Sequence, residues 1–156
     1  MSHAGDSSSV FDQAIAEHLM VINSLREQQP LLQRIAVLVL MHATSTYPAN
    51  YAELNLRAIP AMVARYGVPV GYSGHETGIP SSVCAAALGA CCVERHITTD
   101  RAMWGADHAA SLEPNGISRL VRDIRLWEQA KGDGIKRVYE REVPIIKKLR
   151  RVGATV

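Results

Sequence analysis

The sequence has little excess charge, few cysteines and no long apolar run, and each shortage excludes a class of protein. Its 17 basic and 15 acidic residues leave a net charge of +2, which is too small to indicate nucleic-acid binding. No apolar run approaches the ~20 residues of a membrane span, and the polar start lacks the pattern of a signal peptide. The composition therefore predicts a cytoplasmic protein with neither a nucleic-acid nor a membrane partner.

The cysteines are three in number, Cys84, Cys91 and Cys92, and two of them are adjacent. An odd count with this spacing is neither a disulfide framework nor a C-x-x-C metal clamp. We expect the three cysteines to be small buried side chains, in a protein that resides in a reducing compartment.

The length of 156 residues suits one domain. A complete eight-fold β/α barrel needs roughly 250 residues, so it does not fit. A hydrophobic content of 47% excludes disorder over the whole chain. We predict a disordered N-terminus over 1–8, a folded domain over 9–134 and a basic tail over 135–156.

Apolar runs and helical periodicity alternate along the chain. The pattern predicts a helix from residue 9 to Pro30, then strands at 35–41, 68–72 and 91–97, with helices at about 53–66, 80–88 and 117–131. Strands that alternate with helices form a parallel sheet with right-handed connections. The sequence therefore predicts an α/β fold of about three parallel βα units preceded by a helix, with adjacent strands in sequence order and helices on one side.

Polar side chains follow each predicted strand, where parallel strands bring ligand chemistry to one rim. They are His42, Ser45 and Tyr47 after the first strand, Ser73 and His75 after the second, Glu94, His96 and Thr98 in and after the third, and Asp107 and His108 in the next loop. Glu94 and His96 share one face of their strand and Arg95 the other. Two imidazoles with a nearby carboxylate can hold a divalent ion such as Mn²⁺.

Structural interpretations stand beside these functional ones. A histidine at a strand end is often only hydrogen-bonded, Ser73 could cap a turn, and Asp107 fits a Gly-rich turn. Trp104 fits either a core or a lid over a site. A carboxylate at Glu94 would be costly in an apolar strand unless it is paired or coordinated. Spacing alone therefore indicates a metal or sugar-phosphate enzyme fragment of α/β type.

Four segments in order resemble the sialic acid (N-acetylneuraminate) synthase family. They are HATSTYP, GYSGHETG, ERHIT and GADHAASLEP, at residues 42–48, 71–78, 94–98 and 105–114. The resemblance runs from about residue 35 to 150 and is weak over 9–28. It implies a TIM-type β/α barrel, of which this chain would be the carboxyl half, a partial barrel.

The resemblance also implies an activity. The family condenses phosphoenolpyruvate with an N-acylmannosamine-type sugar, giving a nine-carbon 2-keto acid and phosphate, and needs a divalent metal, Mn²⁺ or Mg²⁺. By matching motifs, His75 and His96 are expected to bind the metal, and Ser73 and Ser45 to bind phosphoenolpyruvate. Tyr47 and Asp107 would face the sugar. Glu94 and Asp107 are the expected catalytic carboxylates.

The sequence also departs from the family. It does not contain the family's first barrel strands, with their phosphoenolpyruvate-binding lysines and early carboxylate, nor its C-terminal antifreeze-like domain. The alternative hypothesis is a non-catalytic truncated remnant, or a half-barrel subunit without activity on its own. As partners, we expect either further copies of the chain in a homo-oligomer or the missing half of the barrel. A third hypothesis is a related barrel that uses another aldose. In-frame barrel coding upstream of Met1 would favour truncation.

Overall fold

The structure, a computed structural model, describes residues 38–149 of the chain. The strands are β1 (Leu40–Ala43), β2 (Val70–Gly74) and β3 (Val93–Arg95), and the helices are α1 (Ala58–Tyr66), α2 (Pro80–Ala87), α3 (Pro114–Ala130) and α4 (Val143–Leu149). Short 3-10 turns occupy Tyr51–Glu53 and Glu140–Glu142. The predicted N-terminal disorder, the predicted first helix and the start of the predicted first strand lie outside the described residues.

The three strands form one parallel sheet in the order β1-β2-β3. Leu40 lies opposite Val70, and Tyr72 lies opposite Val93. A parallel bridge between Ile97 and Leu112 follows the last strand. The predicted topology of adjacent parallel strands in sequence order is confirmed.

The core lies between one face of the sheet and the helices α1 and α2. Ile59 of α1 and Ala85 of α2 are fully buried against Val70 and Tyr72 of β2. Partly buried apolar residues surround them: Leu40, Leu56, Met62, Ala90 and Val93. Gly67 ends α1 with φ 65°, a left-handed conformation that glycine adopts without a steric penalty. The helices therefore cover one face of the sheet, as predicted.

The strands differ from their predicted bounds and burial. β1 and β2 end two residues later than predicted, and β3 is shorter at both ends. The seven consecutive apolar residues at 35–41 predict a strand buried on both faces, but Met41 is 37% exposed. The prediction was wrong because no element among residues 38–149 covers the second face of the sheet.

The expectation of buried cysteines was also wrong. Cys84, Cys91 and Cys92 are free and exposed. Gly71 separates Cys92 from Met41 on the uncovered face, where the two sulfur atoms approach to 3.7 Å. Partial desolvation, together with the neighbouring Cys91 and Glu94, raises the pKa of the Cys92 thiol.

Helix α3 begins three residues before its predicted start because Pro114 occupies its first turn, where a missing N–H costs nothing. It buries Leu120. No helix within the described part of the chain is long and apolar enough to cross a bilayer. The predicted tail contains α4, whose last turn carries Lys147 and Lys148. The domain boundaries stay predictions.

Candidate metal and substrate site

The uncovered face of the sheet carries the predicted site residues at its carboxyl end. Ser73 lies opposite Glu94 in the register of β2 and β3. Because side chains alternate along a strand, Tyr72 and Arg95 turn to the helix side instead. That side is where Tyr72 packs in the core and Arg95 contacts Glu76.

Three aromatic rings meet at this rim. The rings of His75 and His96 have centroids 5.4 Å apart and stand nearly perpendicular, at 82°. The ring of Tyr47 lies 4.7 Å from that of His96 and 5.4 Å from that of His75. Residues from three separate strand ends thus form one cluster.

The hydrogen bonds of His75 define its tautomer. Its Nδ1 lies 2.7 Å from the carbonyl oxygen of Thr44. A carbonyl oxygen can only accept, so Nδ1 must carry the proton. In the neutral ring Nε2 then keeps its lone pair, and this atom lies 3.4 Å from Ser73 Oγ. A backbone bond of this kind orients a metal-binding histidine.

Ser73 connects His75 to Glu94. Its hydroxyl donates to Glu94 Oε1 at 2.7 Å. The Ser73 side chain is buried, whereas Glu94 is exposed to solvent at the rim. Exposure and this hydrogen bond remove the desolvation cost expected for a carboxylate at position 94.

Asp107 is anchored beside the ring cluster. The Ser111 hydroxyl donates to the Asp107 carbonyl at 2.7 Å and lies 3.1 Å from the Tyr47 hydroxyl. Asp107 Oδ2 is 3.7 Å from His96 Nδ1, beyond hydrogen-bond range but close enough for an electrostatic contact. A second exposed carboxylate therefore lies next to the two imidazoles.

Other residues of the predicted rim lie apart from this cluster. Ser45 is exposed, and its side chain makes no hydrogen bond to the cluster within the described residues. His42 turns to the helix side, where Nε2 donates to the Leu54 carbonyl at 2.7 Å. His108 bonds to Thr98 Oγ1 at 2.8 Å. Trp104 is fully exposed, so it belongs to no core.

Sequence reasoning missed a buried polar network behind the rim. Glu76 is fully buried on the helix side and accepts hydrogen bonds from Tyr72, Ser81 and Arg95. Burial by itself raises the pKa of Glu76, but the hydrogen bonds and the positive charge of Arg95 outweigh it and hold the pKa below its usual value. Burial and this neighbouring carboxylate raise the pKa of Tyr72 far above its ordinary value. The sequence signal for this network was Arg95, which strand alternation predicts on the opposite face of the strand from Glu94 and His96.

The rim presents two imidazole rings that could ligate a divalent cation. No group of three His, Cys, Asp or Glu side chains able to hold a metal occurs among residues 38–149. Two imidazoles 5.4 Å apart, one with its lone pair exposed by a backbone bond, still fit an ion whose other ligands are water or substrate oxygens. The two imidazoles and the nearby carboxylates of Glu94 and Asp107 therefore fit a borderline ion such as Mn²⁺ better than Mg²⁺, which prefers oxygen ligands.

Positive charge is scarce at this rim. No lysine precedes Lys131 in the sequence. Arg95 turns to Glu76 on the helix side, and Arg101 donates from Nε to the Ala109 carbonyl at 2.9 Å. Within the described sheet end, the rim thus carries imidazoles, hydroxyls and carboxylates rather than a lysine cluster.

The comparison with known families decides the assignment. A sequence model described as the NeuB family matches residues 13–136. The chain belongs to the NeuB family. The match begins at residue 13, earlier than the start near residue 35 that the sequence analysis gave. It confirms the resemblance to sialic acid synthases.

Two relatives of the chain are named as synthases of sugar acids. The N,N'-diacetyllegionaminic acid synthase of Legionella pneumophila is 42% identical over 73% of this chain and 32% of its own length. The human N-acetylneuraminate-9-phosphate synthase is 40% identical over 83% of this chain and 39% of its own length. The family is therefore one of sugar-acid synthase enzymes, and this chain spans about a third of such relatives.

A solved NeuB-type structure shares the fold. The N-acetylneuraminic acid synthetase of Leptospira borgpetersenii, in complex with citrate, superposes with a TM-score of 0.60 at 34% identity. The superposition covers 73% of this chain and 41% of that one. The predicted α/β fold, a partial barrel of parallel βα units, is confirmed.

Proposed function

We propose that this chain forms the metal- and sugar-facing part of a synthase site. The reaction is the condensation of phosphoenolpyruvate with an N-acylmannosamine-type sugar to a nine-carbon 2-keto acid and phosphate. The observation that carries the proposal is the convergence of His75, His96 and Tyr47, from three strand ends, on one rim of a NeuB-family chain. The chain would act in the cytoplasm, as part of a homo-oligomer or with the rest of a barrel.

His75 and His96 would hold the divalent metal, Mn²⁺ or Mg²⁺. When bound, such an ion polarises a carbonyl oxygen as a Lewis acid, which suits an open-chain sugar aldehyde. The Thr44 carbonyl keeps the proton of His75 on Nδ1, so that the ring offers Nε2 to the site.

The hydroxyl and carboxylate side chains would bind the substrates and transfer protons. Ser73 and Ser45 would bind phosphoenolpyruvate, with the Ser73 proton held by Glu94. Tyr47 and Asp107 would bind sugar hydroxyls, because both reach the rim beside His96. Glu94 and Asp107 are the exposed carboxylates that could hold or accept a proton during bond formation.

A second candidate is a chain that binds metal but has no turnover by itself. The observation in its favour is the absence of any lysine before Lys131, combined with the engagement of Arg95 and Arg101 elsewhere. Phosphate recognition ordinarily needs charge-assisted donors. The first candidate predicts phosphate release once a barrel portion is added, whereas the second predicts no release even in that mixture.

Phosphate release from phosphoenolpyruvate tests the function. The chain is mixed with Mn²⁺ and a separately expressed N-terminal portion of the Legionella relative. Three acceptors are compared: N-acetylmannosamine, its 6-phosphate and a 2,4-diacetamido hexose. We expect release in the mixture and loss of at least a hundredfold in His75→Gln.

His42→Gln is the matched control, because its ring bonds to Leu54 on the other side of the sheet and glutamine keeps an N–H donor. We expect the mixture containing this variant to keep its activity. No release with any of the three acceptors, or equal release by His75→Gln and the wild type, would contradict the proposed function.

A further inference from the structure

A buried ion pair lies directly behind the candidate site, on the helix side of the sheet. Arg95 Nη1 donates to Glu76 Oε1 at 2.9 Å, and the two side chains are 3% and 0% exposed. The other carboxylate oxygen of Glu76 accepts from the Tyr72 hydroxyl at 2.7 Å, and Ser81 donates to Oε1 at 2.6 Å. Both carboxylate oxygens are thus satisfied without water.

The guanidinium of Arg95 also binds the backbone of the loop after β2. Nη1 donates to the Gly78 carbonyl at 2.7 Å, and Nη2 donates to the Glu76 carbonyl. The same Nη1 lies 2.9 Å from Ser82 Oγ in the first turn of α2. One side chain of β3 therefore fixes the path of the chain from the end of β2 to the start of α2.

Each member of the pair is adjacent to a candidate metal ligand. Glu76 follows His75 directly, and Arg95 precedes His96 directly. The ion pair joins the two strand ends on the helix side, whereas the imidazoles face each other on the open side with centroids 5.4 Å apart. A shift of either backbone segment would change the separation of the rings.

The end of β2 is packed tightly against the ion pair at Gly74. A Cβ atom at Gly74 would lie 2.9 Å from Arg95 Cδ, 2.9 Å from Glu76 Oε2 and 2.9 Å from Tyr72 Cε1. Gly74 also lies opposite Arg95 in the sheet register. The strand end just before His75 is thus packed directly on the ion pair.

We propose that Glu76 and Arg95 are positioning residues, which hold the ends of β2 and β3 so that His75 and His96 can share one ion. The pair touches neither metal nor substrate and acts through the backbone that carries each imidazole. This inference rests on the proposed function, since it concerns the same two histidines. Metal sites commonly depend on such supporting contacts, whose loss lowers metal affinity about 10- to 100-fold.

The test removes the hydrogen bonds of the Arg95 guanidinium to the backbone but keeps a buried positive charge. Arg95→Lys retains a cation for Glu76 and loses the bonds to the Gly78 and Glu76 carbonyls. Glu76→Gln removes the carboxylate charge, and if that variant does not fold, Arg95→Lys carries the test. Arg125→Lys is the matched control, because Arg125 forms an exposed ion pair with Glu128 on α3.

Two readouts are taken on the full chain. Nitrogen-15 spectra of the metal-free histidine rings report the tautomer of His75, and electron paramagnetic resonance reports Mn²⁺ affinity. In folded Arg95→Lys we expect a mixture of His75 tautomers and Mn²⁺ binding about tenfold weaker. We expect Arg125→Lys to match the wild type in both.

The outcomes separate this inference from the proposed function. A folded Arg95→Lys chain with the wild-type tautomer and wild-type Mn²⁺ affinity would overturn the positioning role, even if its thermal stability fell. A wild-type chain that binds no Mn²⁺ would contradict the proposed function. In that case, a changed His75 tautomer in Arg95→Lys would still support a role of the ion pair in positioning the His75 ring. An unchanged tautomer would overturn that role.

Discussion

At the scale of single residues, the carboxylate of Glu76 shows burial and hydrogen bonding in competition. Burial penalises the charged form, yet donors from Ser81 and Tyr72 and the charge of Arg95 keep the pKa of Glu76 below its usual value. The charged form is therefore a stabilising part of the fold. Tyr72 shows the reverse effect, because the same environment raises its pKa and keeps the phenol protonated.

The lowered pKa of Glu76 predicts acid sensitivity. A group whose pKa is lower in the folded state contributes stability above its unfolded pKa, near 4.5, and loses it as the pH falls through the folded value. We expect the urea concentration at the unfolding midpoint of the wild type to decrease once the pH is lowered beneath about 4.5. Glu76→Gln should be less stable at pH 7 and should lose less on acidification. Urea titrations at pH 7, 5, 4 and 3 check this, and parallel pH curves for the two proteins would refute it.

The hydroxyl of Tyr72 offers a second prediction. Tyr72→Phe keeps the ring in the core and removes the donor that lies 2.7 Å from Glu76 Oε2. A buried acceptor left without its partner costs roughly 1–3 kcal/mol, and we expect that loss in the free energy of unfolding. The same substitution in a Glu76→Gln background should cost less, because the pair is already disrupted. Equal costs in the two backgrounds would show that the two residues are not coupled.

The sequence predicted some of these residues and not others for physical reasons. Strand alternation correctly separated Glu94 from Arg95, because that rule depends only on local geometry. It did not predict the orientation of His42, since β1 ends two residues later than the apolar run suggested. The partners of Glu76 depend on how the loop after β2 folds back, and a single sequence does not encode that path in any local pattern.

At the scale of elements, α3 has the clearest amphipathic pattern. Leu120 is buried, at 5% exposure, whereas Leu126 on the same helix is 61% exposed. Periodicity predicted this helix well, because an apolar stripe at helical spacing depends on neighbours within the same segment. The strands were less well bounded, since parallel pairing with other segments sets their ends.

A pair of alanine substitutions tests the packing of α3. Leu120→Ala should lower the free energy of unfolding by about 2–5 kcal/mol, because it removes buried methyl groups and leaves a cavity. Leu126→Ala should change it by less than about 0.5 kcal/mol, as is usual for exposed sites. Chemical denaturation measures both. Similar costs for the two variants would mean that α3 does not pack through Leu120.

At the scale of the whole molecule, the 156 residues provide one sector of a NeuB-type fold. The chain covers 32% to 41% of the lengths of the relatives and the solved structure compared above. The sector includes two imidazoles, a tyrosine and two carboxylates at one rim. The described part of that rim carries no lysine cluster.

We expect the 156 residues alone to release little or no phosphate. Each charge-assisted hydrogen bond to a phosphate contributes roughly 1.5–3 kcal/mol. Two or three absent contacts would weaken substrate binding by several orders of magnitude, at tenfold per ~1.4 kcal/mol. The purified chain is assayed with Mn²⁺, phosphoenolpyruvate and N-acetylmannosamine. Turnover of ~1 s⁻¹ or more, an ordinary enzyme rate, would contradict this expectation.

Mn²⁺ affinity, measured by electron paramagnetic resonance, tests the proposal that His75 and His96 bind one metal ion. The wild-type chain should bind one ion. His75→Gln and His96→Gln should each bind at least tenfold more weakly, a loss of about 1.4 kcal/mol, while His42→Gln keeps the wild-type affinity. Wild-type affinity in both His75→Gln and His96→Gln would contradict the account.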